Sequence, residues 1–339
     1  MNAIVLLGVS FVWLWSPPSN QWESAQNWSP AGVPTQNDSA SFLNSERRNL
    51  NVTMGPKIGP LEFNGRQDFR VTVIPLAYLT LNGPVSFDTH PPTFVMQGSY
   101  SGFGGQIGAT KDSKLEGVYI LHGYAGGNGA EITTRGSAGD AHIYANAGTY
   151  VIFRDSGNAG TAKILSKPGG TSGLFGGQIY FYNASDAPDA SIILAGGTSA
   201  LQIQEHLGPV TVGRLSGPGT VFLGPNTLRV KSGDFTGTAD AQGQGGGVEL
   251  GSTFSVHLGR GAMSVNGAIT LGGKLEIYFN LPPGLYGHTF TLFRATGPKS
   301  GAFESVSFPG LTGSPPDFVT GFSGNDYQIT FSSEPQQAK

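Results

Sequence analysis

The chain has no cysteine among its 339 residues. That absence removes disulfides, thiolate nucleophiles and Cys-ligated metal together. It suits a chain that must cross an oxidising compartment unfolded, and is equally compatible with the cytosol. Charge is scarce as well, at 12% of residues, where about 25% is typical. The net charge is −3, and the 19 Lys and Arg are scattered, none before Arg47. No basic footprint for nucleic acid follows from such a distribution. Helix signals are nearly missing: no long window free of Gly or Pro places apolar residues at i, i+3, i+4 and i+7. Long apolar runs are missing too. The run AIVLLGVSFVWLW (Ala3–Trp15) has signal-peptide length but no basic flank and no clear small-x-small cleavage site. It is too short for a membrane span. It reads equally as a signal remnant over 1–15 or as a buried first strand. The expectation is a soluble or secreted chain with no membrane span.

What the chain has in abundance is glycine, at 53 positions, together with short apolar strokes. Disorder is excluded by the many Val, Ile, Phe and Thr. The strokes include VTVI (71–74), VYIL (118–121), AHIY (141–144), YVIF (150–153), AKIL (162–165), QIYF (178–181), SIIL (191–194), TVFL (220–223), TLRV (227–230) and KLEIYF (274–279). Each has Gly, Asn, Pro or Ser, the residues of tight turns, within two residues of it. They also repeat. YVIFRDSGNAGTAKIL aligns with QIYFYNASDAPDASII at an offset of 28, placing Phe153 on Phe181, Ala162 on Ala190 and Ile164 on Ile192. Ala141 falls one step earlier, 21 residues before Ala162. Spacing that varies in this way fits a solenoid whose turns tolerate loop insertions.

Magnitudes favour stacking over isolated hairpins. Burying one Val, Ile or Leu contributes about 1.5–3 kcal/mol, while fixing each residue's backbone costs about 1–2 kcal/mol. A single winding with four or five inward aliphatics cannot fold alone on those terms. It becomes stable when neighbours cover both its faces. The fold class expected is all-β, a right-handed parallel β-helix (β-solenoid) spanning 53–262. An N-terminal cap over 1–52 precedes it, a C-terminal antiparallel β module over 263–333 follows it, and 334–339 form a mobile tail. All four tryptophans, Trp13, Trp15, Trp22 and Trp28, lie in the first 28 residues. They read as a structural cap covering the first winding, with a carbohydrate-stacking platform as the rival.

Three stretches carry a family resemblance. The entry runs from Trp15 through Trp22, Asn27, Trp28, Pro34 and Asp38 to Phe42; the middle is VGRLSGPGTVFLGPNTLRVKSGDFTGT; the end is NGAITLGGKLEIYFN followed by HTFTLFRATGPKSGAFESV. In this order they resemble autotransporter-passenger-like proteins with autotransporter-associated β-strand repeats, a group of bacterial surface and secreted β-helices. The resemblance implies a parallel β-helix at the cell surface or in the medium. Nothing after the closing segment could form a membrane barrel of many amphipathic strands, so the expectation is a secreted chain or one anchored by another. The family has no common catalytic residues to carry over.

The residues themselves offer little chemistry. No G-x-S-x-G, Walker A or H-E-x-x-H motif occurs. The six histidines, His90, His122, His142, His206, His257 and His288, are dispersed. GGNGAEI (126–132) is a single Gly-rich phrase with Glu131 where a calcium repeat wants Asp, and one half-site cannot surround Ca²⁺. Arg154–Asp155, with Asp186 and Asp189 in the next winding, is the best local carboxylate group. A step of 28 stacks Asp155 near Asn183 at roughly 5 Å, the distance between adjacent strands. No cofactor or metal is expected. The functional expectation is a non-enzymatic surface or stalk protein, with self or surface glycans as partners and no nucleic acid. Two alternatives remain open: a glycan-binding module using Tyr119, Tyr144, Tyr180 and Tyr182, and a polysaccharide-degrading enzyme using Asp155.

Overall fold

The computed structural model describes residues 8–97, 105–115, 118–122, 131–170, 175–279, 287–311, 313–332 and 336–337. Among these residues there is no α-helix, only one short 3-10 turn at Ala25–Asn27. Among the described residues no helix is long and apolar enough to cross a membrane. The chain divides into two compact units, 1–190 and 191–339. Each is built on parallel β-solenoid windings, as the repeats require.

From Ser39 to Phe181 each winding of the first unit lays down three short segments, one on each of three faces. On the first face Ser10–Val12, Ser39–Phe42, Leu61–Phe63 and Val85–Phe87 pair in parallel. Single bridges then continue it through Leu115, Ser137, Asn158 and Asp186. The second face stacks Asn49–Val52, Arg70–Val73, Thr93–Met96, Tyr119–His122, His142–Ala145 and Lys163–Ser166. The third stacks Lys57–Ile58, Tyr78–Leu81, Gln106–Ala109, Glu131–Thr134, Tyr150–Phe153 and Gln178–Phe181. Period-2 alternation decides which side chains enter the core. Phe153 and Phe181 are directly paired and stack at 4.7 Å between ring centroids, as Phe42 and Phe63 do at 4.6 Å. At the turns Ala138, Ala141, Ala159 and Ala162, and at the start of a strand Ala187, are all fully buried. A larger side chain there would hold successive windings apart.

Three of the tryptophans start this core. Trp13, Trp22 and Trp28 are 0–2% exposed, and Trp28 meets each of the other two at 5.1 Å. Phe42 contacts all three rings and carries the column on to Phe63. Parallel pairing reaches back to Ser10–Val12, well before residue 53. The entry segment is therefore wound into the ladder rather than laid beside it.

The second unit is wound differently. Its main strands are long: Val210–Gly217, Thr227–Phe235 and Gly247–Leu258. Val210, Leu228, Val248 and Ile269 share one register column, and Val212, Val230 and Leu250 another. The twelve-residue strand Gly247–Leu258 is paired by two successors, Ala268–Leu271 along its first part and Lys274–Phe279 along its second. A second sheet runs through Ala200–Gln202, Thr220–Phe222, Thr238–Asp240, Met263–Asn266 and Thr289–Ala295. Thr289–Ala295 then pairs antiparallel with Asp326–Phe331, which pairs antiparallel with Phe318–Ser323.

Three boundaries differ from expectation. The compact division falls at residue 190, inside a repeat that the spacing treats as uniform. Gln336–Gln337 pairs with Gly313–Ser314 and is not a free tail. Within 263–333, parallel pairing persists from Ala268–Leu271 to Lys299–Gly301 and from Lys274–Phe279 to Ser305–Ser307. The antiparallel ending is thus confined to the last strands. Winding lengths span 18 residues (Val210 opposite Leu228) to 31 (Lys274 opposite Ser305), wider than the 21 to 28 read from sequence.

Candidate binding face

The third face of the first unit gathers the most chemistry. On its strands Val151 and Phe153, then Ile179 and Phe181, point inward and are fully buried. Alternation therefore turns Tyr150, Ile152 and Tyr180 outward. The Tyr150 and Tyr180 rings lie 6.1 Å apart, and Tyr180 stacks on Tyr182 at 5.5 Å with planes only 4° apart. The Arg154 guanidinium carbon sits 4.6 Å over the Tyr182 ring, a cation–π contact of about 0.5–1 kcal/mol at an exposed position.

Just past these strands the backbone turns through left-handed residues. Asp155 and Asn183 both have φ of 58°, a conformation that Asn and Asp tolerate better than other non-glycine residues. Their side chains form a ladder one winding apart: the Asn183 amide donates to Asp155 Oδ1 at 3.0 Å. Arg135, from the preceding winding, donates to Asp155 Oδ2 at 2.8 Å. The stacking of Asp155 on Asn183 expected from the 28-residue step is therefore present. Both carboxylate oxygens are engaged by groups of the protein. Asp186 lies elsewhere, bridging opposite Asn158 with its carboxylate on the Ala187 amide, and Asp189 falls on the strand that follows. The three carboxylates do not converge, because the alignment fixes the register of a winding but not which of its three faces a residue occupies.

Further down the same face Tyr78 lies flat. A Cβ at Gly108 would meet its hydroxyl at 2.2 Å, so the missing side chain at Gly108 is what lets the phenol cross the neighbouring winding. Burial pushes the Tyr78 hydroxyl above its usual pKa, and the Glu131 carboxylate adds to the rise against an opposing effect of Arg135. Glu131 also accepts a hydrogen bond from Thr133. Ile152 and Thr133, although outward, are only 7% exposed. Side chains that lie along the sheet pave this face.

The other candidate residues are placed as follows. The side chain of Tyr119 lies outside the described residues, and its backbone pairs with His142 on the second face. Tyr144 is on that second face too, paired with Leu121 and Leu165. Tyr119 and Tyr144 therefore do not share a face with Tyr180 and Tyr182, and the aromatic strip consists of Tyr150, Tyr180 and Tyr182. Among the tryptophans only Trp15 is exposed, at 58%; it does not join the buried cluster. Residues 126–130 of the Gly-rich phrase lie outside the described residues. Among those described, no three His, Asp or Glu side chains come together as a metal site. His206 is buried with Nδ1 at 2.9 Å from the Gly208 carbonyl oxygen, and His257 stacks on Tyr278. The His122 side chain is outside the described residues. Sequence reasoning missed Tyr78, Arg135 and Tyr150, although the i, i+2 spacing of Glu131, Thr133 and Arg135 carried the signal.

No protein-family model, curated protein or solved structure matches this chain.

Proposed function

We propose that the chain is a non-enzymatic, secreted or cell-surface β-solenoid of the bacterial autotransporter-passenger-like kind, wound right-handed, that serves as a stalk or adhesin-like scaffold. The single observation behind this reading is the register ladder. Asp155, the best carboxylate candidate, is committed to Arg135 and Asn183, interactions that bind one winding to the next. A group used this way holds a scaffold together rather than handling a substrate. Intact cells of the source organism treated with an external protease test the proposal. Loss of the chain from cells, or its presence in the medium, supports it; complete protection inside intact cells refutes it.

A second reading is favoured by the strip of Tyr150, Tyr180 and Tyr182 with Arg154. Flat rings flanked by a guanidinium suit the apolar faces and hydroxyl edges of sugars, so the face is a candidate for extended surface glycans. Glycan-array binding that disappears in Tyr180→Ala and Tyr182→Ala supports it. Binding unchanged in both variants removes it.

A further inference from the structure

The second unit holds a separate polar concavity of about 220 Å³ on the outer side of its long strands. At about 30 Å³ per water molecule it has room for a single sugar ring. Its walls come from four neighbouring strands in fixed register. Arg214 is opposite Ser232, which is opposite Thr253 and then Lys274; Ser255 is opposite Glu276, and His257 opposite Tyr278. Alternation along Lys274, Glu276 and Tyr278 turns all three to the same side.

The charges in this concavity are balanced and held in place. Arg214 pairs with Asp234 at 3.3 Å. Glu276 accepts from Lys274 at 3.0 Å, from the Tyr278 hydroxyl at 3.2 Å and from Ser255 at 3.5 Å. The Lys274 hydrogen bond is the main reason that the Glu276 carboxyl is held below its usual pKa. Beside them the His257 and Tyr278 rings stack at 4.9 Å, 21° from parallel. Hydrogen-bonding capacity is also left over. Among the described residues His257 Nδ1, Ser216 Oγ and Ser307 Oγ are buried without a partner in the protein, and the two serines lie in register with Asp234 and Glu276. Buried polar groups are nearly always satisfied, so the unpartnered nitrogen of His257, which lines the concavity, sets it apart from an ordinary solvated face; the two serines stand next to its lining residues in the ladder and not in the lining itself.

We infer that this concavity binds one residue of a neutral saccharide. Asp234 and Glu276 are fixed acceptors, the Tyr278 hydroxyl, whose proton goes to Glu276, is another, and Arg214 is a fixed donor, the pairing that vicinal hydroxyls require, while the paired rings offer an apolar flank. An anionic sugar fits less well: its carboxylate would face Asp234 and Glu276, and both cations are already neutralised. The proposal does not depend on the aromatic strip of the first unit.

Saturation-transfer NMR on the full chain tests it, using methyl glycosides of glucose, galactose, mannose and N-acetylglucosamine with methyl glucuronide alongside. At least one neutral glycoside is expected to bind in about the millimolar range, the affinity of a small ligand making few contacts. Glu276→Gln is expected to weaken it at least about fivefold, the loss of one charge-assisted hydrogen bond. Thr253→Tyr, which fills the concavity, is expected to abolish it, and Val319→Ala, at an exposed position outside the concavity, to leave it unchanged. Three results overturn the inference: no glycoside binds, binding survives Thr253→Tyr with the fold intact by circular dichroism, or methyl glucuronide binds in preference to every neutral glycoside. Loss of binding in Tyr180→Ala with Thr253→Tyr unaffected would assign the signal to the first unit and refute this site.

Discussion

The two units solve the same problem, covering a narrow apolar column, in different ways. The first turns a corner after strands of two to four residues, as at Lys57–Ile58 and Tyr150–Phe153. The second runs strands of eight, nine and twelve residues and bends them without breaking the ladder. Short strands need corner residues, and the first unit supplies them in register: buried alanines inside, Asp155 and Asn183 outside. Long strands need permissive points, of which Gly233 is one. Its φ is 144°, and a Cβ there would lie 1.8 Å from the Leu215 carbonyl oxygen. Short strands with laddered corners pave the third face of the first unit, whereas the long strands of the second line a polar concavity.

The largest effect that would test this contrast is a break in a ring column. Phe181→Ala should cost about 3–5 kcal/mol, as truncation of a buried Phe does, and Phe254→Ala in the second unit a similar amount. Urea unfolding followed by limited proteolysis would show whether each variant exposes its own unit first. Simultaneous exposure of both units by either variant would show that the division has no energetic meaning.

Gly233→Val should come next, at about 1–3 kcal/mol for strained backbone, with new cleavage confined to 227–258. Gly197 gives the control: nothing lies within 4 Å of its built Cβ, so Gly197→Ala should leave thermal stability unchanged or slightly raised. An equal loss in both variants would remove the bend from the account.

Acid separates the units less strongly. Asp326 is held below its usual pKa chiefly by the Arg294 hydrogen bond, and Glu276 chiefly by that of Lys274. A carboxyl depressed in the folded state contributes stability that is complete above its unfolded pKa and is lost as pH falls through the folded one. The second unit should therefore weaken as pH falls below the ordinary carboxylate range, and the double variant Glu276→Gln, Asp326→Asn should flatten that dependence in a pH series of thermal melts. The first unit has a counterpart in Asp38. Burial pushes its pKa up, but hydrogen bonds from the Thr35 hydroxyl and the Val9 and Thr35 amides outweigh burial and hold it low.

The smallest effect belongs to the exposed ladder. The side chains of Arg135 and Asp155 are about half exposed, so Arg135→Ala should change stability by no more than about 1 kcal/mol. A larger loss in a thermal melt would mean that the corner ladder contributes more than its geometry indicates.

Much of this architecture is legible in the residues. YVIF, QIYF and KLEIYF coincide with strands to the residue, because each is a compact run rich in β-branched and aromatic residues with Gly, Asn or Ser close by. Phe153 stands on Phe181 and Ala141 in line with Ala162, since parallel register preserves sequence offset. The long strands were not legible: VTVGRLSG, TLRVKSGDF and GVELGSTFSVHL contain glycines that read as stops. In the folded chain the strands run on through them, with positive φ at Gly217 and Gly233.

The sequence by itself determined the winding, the inward columns and the pairing of Asp155 with Asn183, because each depends only on a period and an alternation that the chain carries locally. Which face each residue occupies was decided by tertiary structure alone. Tyr144 and Tyr180 belong to equally good strokes yet lie on different sides of the coil. Arg214, Asp234, His257 and Glu276 are far apart in the chain yet meet in one concavity. Loop lengths that vary between windings set those angles, and only the closed ladder fixes them.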